Sequence, residues 1–317
     1  MAYNNAILTS AQLATVVATV KQPIATELSA RKYIKAQQIP SYLTVFPYKY
    51  MVSSGKATLM TNRATDAPLV DTKMIEEFAR VVKFHAAFDY SREELEEANV
   101  VNFNLFQNKA TVVRRALAEF QNKLLFNGLE MVPTGANDSQ SRNLLGLTTD
   151  PSISGVQTAK APVTFDGALN DEDGQMKLRN YLQDCVDQIQ IMPGFSGQKP
   201  VLLLPPKALS YLKRPFNKYN PESSVYSMIK DFFTVVDGIT ELSGRYTKSG
   251  EDMGIVMVNT SDVMEYGLAQ DAYPEQPMPL DGGGTKQEFT ERCTGLILYR
   301  PEAVVQLNGI TTPSKKA

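Results

Sequence analysis

The sequence predicts an α+β protein: one long helix, an extended hairpin projecting from it, and a separate α/β unit. Three observations predict this. Residues 91–128 contain no proline, and their only glycine is the last residue, Gly128. Residues 42–90 are aromatic and extended on both sides of a polar turn. Residues 170–258 switch repeatedly between helical and strand periods, the pattern of a compact α/β domain.

The totals narrow the classes. A chain of 317 residues allows two domains or one elaborated domain. Its 43% hydrophobic content is ample for a core. Lys plus Arg number 32 and Asp plus Glu 34, so the chain makes no electrostatic claim on nucleic acid or membrane. Cys185 and Cys293 lie far apart and fit no metal spacing, and a disulfide framework is not expected. The single histidine, His85, cannot by itself support a triad or a multi-histidine metal site, and it reads as a polar position on a strand. The first residues lack the basic-then-apolar pattern of a signal peptide. No run approaches the roughly 20 apolar residues that span a bilayer.

Taken in order, residues 1–41 read as an N-terminal arm. Short helices at 11–20 and 26–34 have too few apolar partners nearby to fold alone, so the arm is expected to pack on something else. Residues 42–52 are an aromatic strand, residues 53–56 a turn, and 57–61 a further strand candidate. Residues 62–68 are polar and loop-like. From 70 to 90 the chain is extended, with Val82, Phe84, Ala86, Phe88 and Tyr90 alternating to one side. A helix over 74–82 is the local competitor. An extended run this long implies a two-stranded arm, which needs a surface to lie on. Its inter-subunit candidates are Tyr48, Tyr50, Lys56 and Arg63.

The long helix follows. Ser91 and Glu94 make a capping box, and Gly128 suits the left-handed residue that ends a helix. Uninterrupted, it would reach roughly 50 Å. Leu95, Ala98, Val101, Leu105, Val112, Val113, Ala116, Leu117, Phe120 and Leu124 share one broad face. Asn102 and Lys109 interrupt that face, while Leu125 and Phe126 point elsewhere, so burial on more than one side is expected. Residues 129–142 are loop-like, and 143–147 form a short strand and turn.

The second unit opens with an amphipathic helix at 175–191, built on Met176, Leu178, Leu182, Val186 and Ile189. The apolar run 201–204 is a buried strand. Helices follow at 207–212 and 225–232, the second capped by Ser223 and Ser224, and strands at 233–236 and 255–258. Residues 271–284 read as a linker, 287–299 as an extended segment, and 303–307 as a last strand. There is no internal repeat.

The search for chemistry yields little. No phosphate loop, dinucleotide fingerprint, HExxH, GxSxG or CxxC is present. Gly282, Gly283 and Gly284 read as a connector. Asp171, Glu172 and Asp173 read as a solvated helix start, with a hard-cation site the lesser alternative. Arg114 and Arg115 fit salt bridging better than a nucleic-acid surface. Tyr42, Phe46, Tyr48 and Tyr50 carry too little positive charge for base stacking. The residues therefore offer no candidate for catalysis, cofactor binding or metal ligation.

The order of parts resembles the major capsid protein of tailed phages, the Hong Kong ninety-seven fold, which encapsulin shells share. Residues 88–95, Phe-Asp-Tyr-Ser-Arg-Glu-Glu-Leu, resemble the entry to the family's spine helix, and Phe126-Asn127-Gly128 its exit. Residues 143–147, Asn-Leu-Leu-Gly-Leu, resemble the loop that follows. Residues 201–205 with Leu209 and Leu212 resemble the axial strand and helix. Residues 293–301 resemble the strand returning to the peripheral domain. No single motif is diagnostic; their order carries the resemblance.

The resemblance implies an extended hairpin loop at 42–88, a peripheral domain at 89–165 and 271–317 containing the spine helix, and an axial domain at 166–270. It implies a non-enzymatic subunit that forms pentamers and hexamers in an icosahedral head around double-stranded DNA. Portal and decoration proteins would be partners, with no membrane. Only about 40 residues precede the hairpin, so a separate scaffold protein is the expected partner. The family's crosslinking trio cannot be placed here. The rival readings are an encapsulin-type compartment, a soluble α/β enzyme or binding protein, and a tail or connector component.

Overall fold

The computed structural model describes residues 28–54, 71–94, 96, 105–129, 144–154, 158–169, 173–217, 220–280 and 284–311. The first sheet has six strands: β1 (Lys35–Gln38), β2 (Val45–Ser54), β3 (Asp71–Tyr90), β10 (Met264–Pro274), β11 (Met278–Pro279) and β12 (Thr285–Leu298). Their order is β1-β10-β12-β3-β2, with β11 on β12. β1 runs parallel to β10, and the remaining pairs are antiparallel. The alternation of Val82, Phe84, Ala86, Phe88 and Tyr90 therefore marks a strand, and the competing helix over 74–82 does not form. His85 is on the opposite, exposed face of that strand.

The second sheet has five strands: β4 (Thr158–Lys160), β5 (Val201–Leu204), β8 (Val235–Gly238), β9 (Gly254–Met257) and β13 (Val304–Asn308). Its order is β4-β13-β9-β5-β8, with β5 parallel to β8 and antiparallel to β9. The runs Val-Leu-Leu-Leu in β5 and Gly-Ile-Val-Met in β9 are buried at every position, as unbroken apolar strands require. The amphipathic helix at Gly174–Gln190 packs in the same core through Leu178, Leu182, Val186 and Ile189, whereas Met176 is exposed. Between β5 and β8 lie a helix at Pro206–Leu212, a two-stranded ribbon of β6 (Pro215–Asn217) and β7 (Asn220–Ser224), and a helix at Val225–Ile229. Ser224 and Ser227 close a capping box on that last helix.

Two boundary expectations change. Residues 271–284 are not simply a linker, because β10 runs through Pro274 and β11 follows. The last strand and β4 fall within segments expected in the peripheral domain. Both instead complete the five-stranded sheet, β13 pairing with β9 and β4. Short apolar strands carry no label for their sheet, and only the pairing decides it.

The N-terminal expectation changes as well. Ala30, Tyr33 and Ile34 are buried in the large core, and Ile39 under the first sheet. From Ala30 onward the lead-in packs on its own chain, starting with one helical turn at Ala30–Tyr33. Residues 1–27 lie outside the described residues.

The long helix spans Leu105–Asn127, 23 residues. Residues 92–94 and 96 are also helical, and 97–104 lie outside the described residues. A single straight helix from Ser91 is excluded by one contact. The Lys109 ammonium bonds the Glu94 carboxylate at 2.9 Å and the Asp89 carbonyl at 2.8 Å. In a straight helix those residues would stand about 22 Å apart along the axis, beyond the reach of both side chains. The helix buries Ala110, Val113, Leu117, Gln121 and Leu124, a stripe at three- and four-residue spacing. Val113 and Leu117 meet Phe88 and Phe289 of the first sheet. Leu124, Leu125 and Phe126 enter the core shared by both sheets, so burial does extend around the helix at its C-terminal end.

Candidate functional site

The hairpin is the part of the chain least explained by its own fold. β2 pairs with the first half of β3, from Val45 opposite Arg80 to Ser54 opposite Asp71. The second half of β3 pairs with β12, from Val81 opposite Thr294 to Tyr90 opposite Thr285. The arm thus grows out of the sheet by continuing one strand past its partner. At about 3.4 Å per residue, the ten residues of β2 make an arm roughly 34 Å long.

Its two faces differ. Directly opposed residues of an antiparallel pair share a face. One face carries Phe46, Tyr48 and Tyr50 against Ala79, Glu77 and Ile75. Tyr48 and Tyr50 donate their hydroxyls to the two oxygens of Glu77, at 2.5 and 3.1 Å. The Tyr48 ring also stands edge-on to Tyr299 at 5.5 Å. Burial first, and then the Glu77 carboxylate, raises both tyrosine pKa values, so both rings stay neutral donors. These two inter-subunit candidates are therefore engaged within their own chain. Lys56 and Arg63 lie outside the described residues.

The other face carries Val45, Pro47 opposite Phe78, and Met51 opposite Met74, with the Lys49–Glu76 pair between them at 3.5 Å. Phe78 is 68% exposed, Met51 70% and Met74 60%. Met74 and Phe78 have the same strand parity as Phe84 and Phe88. At the root the long helix covers this side of β3, with Phe106 against Phe88 and Phe120 against Phe84. Beyond the root this side, where Arg80 and Glu76 alternate with Phe78 and Met74, is exposed. The apolar period of two on this side of β3 breaks at Arg80 and Glu76, so local pattern alone does not mark Phe78 and Met74. Nor does it give the point at which cover from the helix stops.

The helix entry is held by its own caps. The Ser91 hydroxyl accepts from the Glu94 amide at 3.1 Å, and the Glu94 carboxylate accepts from the Ser91 amide at 3.4 Å. Lys109 first, then the Ser91 amide, holds the Glu94 carboxyl below its usual range. Lys109 is thus the tie that folds the helix start back on the strand end, not a defect in a core face.

The predicted core residues divide. Val113, Leu117 and Leu124 are buried, and Leu105 is half-buried. Val112, Ala116 and Phe120 are exposed, Phe120 at 37%. Phe120 keeps one side on Phe84 and leaves the other to solvent, while Val112 and Ala116 lie off the buried stripe. Leu95, Ala98 and Val101 lie outside the described residues. Arg115 pairs with Glu119 at 3.0 Å, and Arg114 lies over the Phe289 ring.

The helix exit unites three segments far apart in sequence. Gly128 has φ +68°, and a Cβ there would meet the Leu144 carbonyl at 2.4 Å. The Leu147 and Thr148 amides donate to the Leu125 and Phe126 carbonyls at 3.1 and 2.9 Å. The Leu296 amide donates to Leu145, and Gln306 donates to Leu147. Both cysteines are buried, and burial pushes each thiol up to about 12, far from a nucleophile's range. Among the described residues no three acidic, cysteine or histidine side chains form a metal cluster. Of the acidic trio, Asp173 is exposed and the other two residues lie outside the described residues. No described helix is long and apolar enough to cross a membrane.

The chain is thus an α+β protein in which a long helix lies under a six-stranded sheet that extends into a hairpin, beside a second sheet of five strands. The capsid of Myoviridae phage XM1 is similar with a TM-score of 0.69 at 15% identity, over 91% of this chain and 94% of that one. Mycobacterium phage Cain is similar at 0.61 and 10%, over 98% and 99%. A virus-like particle from Pyrococcus furiosus is similar at 0.53 and 14%, over 87% and 91%. At these identities the likeness is one of fold. No curated protein matches the sequence. The family is given by its own model: residues 55–310 match that of the major capsid protein, and this chain belongs to that family. It is a phage capsid shell protein, and structural by family.

Proposed function

We propose that this chain assembles as pentamers and hexamers into the icosahedral head of a tailed phage, around packaged double-stranded DNA. The observation that carries the reading is the uncovered apolar side of β3 and β2 at Met51, Met74 and Phe78. A two-stranded ribbon with such a face is marginal alone. In a closed symmetric assembly every copy can lay this face on a neighbour, so the contact repeats without leaving a free end. The hairpin loop is then the inter-subunit arm, the six-stranded sheet with the long helix the peripheral part, and the α/β unit the axial part around capsomer axes.

The balanced charge suits a wall that encloses DNA without gripping it, since each neutralised phosphate would oppose release. The partners that follow are a portal, a separate scaffold protein and decoration proteins. The location that follows is the virion head, after synthesis in the host cytoplasm.

The test is expression alone and with the scaffold encoded beside it, followed by sedimentation and negative-stain imaging. Closed particles of uniform size are expected. A chain that stays monomeric or dimeric under every assembly condition overturns the reading. Shells that fill with a protein cargo and never with DNA would overturn the DNA part and favour a compartment.

A further inference from the structure

Three consecutive residues of the N-terminal segment grip carboxylates on both sheets. The Arg31 guanidinium bonds Asp271 of β10 at 3.0 Å and Glu291 of β12 at 3.1 Å. Its Nε donates to Gln121 of the long helix at 2.6 Å. Lys32 pairs with Asp237 of β8 at 2.8 Å, and the Tyr33 hydroxyl donates to the same carboxylate. One residue earlier, the Ala30 amide donates to Asn122 at 2.7 Å. After this turn the chain runs as β1, a four-residue edge strand whose every residue is exposed and which, among the described residues, pairs only with β10.

We infer that residues 30–38 form a releasable strap, which fixes the relation between the six-stranded and five-stranded sheets and opens before the rest of the subunit. The apolar part of the grip is Tyr33 and Ile34, each nearly fully buried. The ionic part is adjustable. Lys32 and Asp237 are partly exposed, so salt screens them. Glu291 is 1% exposed and lies beneath Arg31. The charged or titratable groups acting on Glu291 are Arg31 from the strap and Asp271 and Tyr266 from β10, with Cys293 beside it on β12. Arg114 of the long helix acts on Asp271.

Burial first pushes Glu291 up to about 7, against the pull of Arg31. A carboxyl held above its unfolded value favours the folded, protonated form. Its contribution is full at and below the ordinary value of 4.5 and is lost as pH rises through about 7. Asp237 and Asp271 are held below their ordinary value of 3.8, so their contributions persist across that window. This dependence belongs to unfolding of the whole subunit, in which Glu291 leaves its burial; the Arg31 pair by itself favours the ionised carboxylate.

Hydrogen exchange on the full chain, corrected for intrinsic rate, tests the strap. In the wild type, peptides covering 30–39 should open at least about tenfold more than 201–204 and 254–257. Asp237→Asn should raise exchange in 30–39, as should added salt in the wild type, while 201–204 and 254–257 stay protected. Arg31→Met should do the same more strongly. Should that variant fail to fold, Asp237→Asn carries the test, because its carboxylate is partly exposed. Exchange in 30–39 that tracks 201–204 in the wild type and in every variant, or that added salt and Asp237→Asn both leave unchanged, overturns the inference. The inference concerns the single subunit, so its failure leaves the shell reading untouched, and the reverse.

Discussion

The hairpin's bare face yields a quantitative expectation for the combined variant Met51→Ser, Met74→Ser, Phe78→Ser. These side chains are 70%, 60% and 68% exposed in the subunit. Full burial of a side chain of this size contributes roughly 1.5–3 kcal/mol. With about two-thirds of each still to be covered, each contributes about 1–2 kcal/mol on assembly. The three together are then worth about 3–6 kcal/mol per hairpin contact. At 1.4 kcal/mol per tenfold, the concentration at which particles form should rise at least about a hundredfold. Light scattering against concentration, with sedimentation of the products, measures that threshold. The melting of the unassembled subunit should barely change, because these residues already face solvent. A variant that assembles at the wild-type threshold would refute the claim that this face is covered in the shell. A variant that melts well below the wild type would show the face to be covered within the subunit.

Other expectations follow from the same packing. Leu117→Asp puts an unpaired charge between Phe88 and Phe289 and should abolish soluble folded protein, read by expression and circular dichroism. Phe120→Asp, for which the helical period alone predicts the same loss, should instead fold, with its melting temperature lowered by a few degrees, because Phe120 is 37% exposed. Gly128→Ala meets both a left-handed φ and the Leu144 carbonyl, and should cost at least about 2 kcal/mol in denaturant unfolding. Deletion of residues 53–68 should leave a folded subunit that closes shells poorly, since the ladder below Ser53 remains; normal particles in micrographs would count against the arm.

Much of the fold was legible in the residues. The capping box at Ser91 and Glu94, the alternation from Val82 to Tyr90 and the unbroken apolar run of β5 are local patterns. Each encodes backbone preferences that do not wait for a partner. The helix exit was legible in the same way. Gly128 needs a left-handed conformation, and the residues 143–147 that resemble the family's next loop do seal it. The candidate site was less legible. Tyr48 and Tyr50 looked available because aromatic residues on a strand advertise a face, and nothing local reveals that Glu77 takes both hydroxyls. Phe120 fell on the helical stripe by its angle alone, yet an angle does not say how much of the ring its neighbour covers, and Phe84 leaves it 37% exposed.

What the sequence by itself determined is the set of elements, their faces and their order along the chain, because those follow from period, caps and turn chemistry. What only the tertiary structure decided is which faces are covered. Lys109 reaching Glu94 rules out a single straight rod from Ser91 to Gly128. β13 completes the five-stranded sheet and not the sheet beside it. The helix ends its cover of β3 before Phe78, leaving the arm apolar and open. Each of these depends on contacts between residues far apart in the chain. Such contacts are set by the packing of whole elements, and no local pattern encodes them.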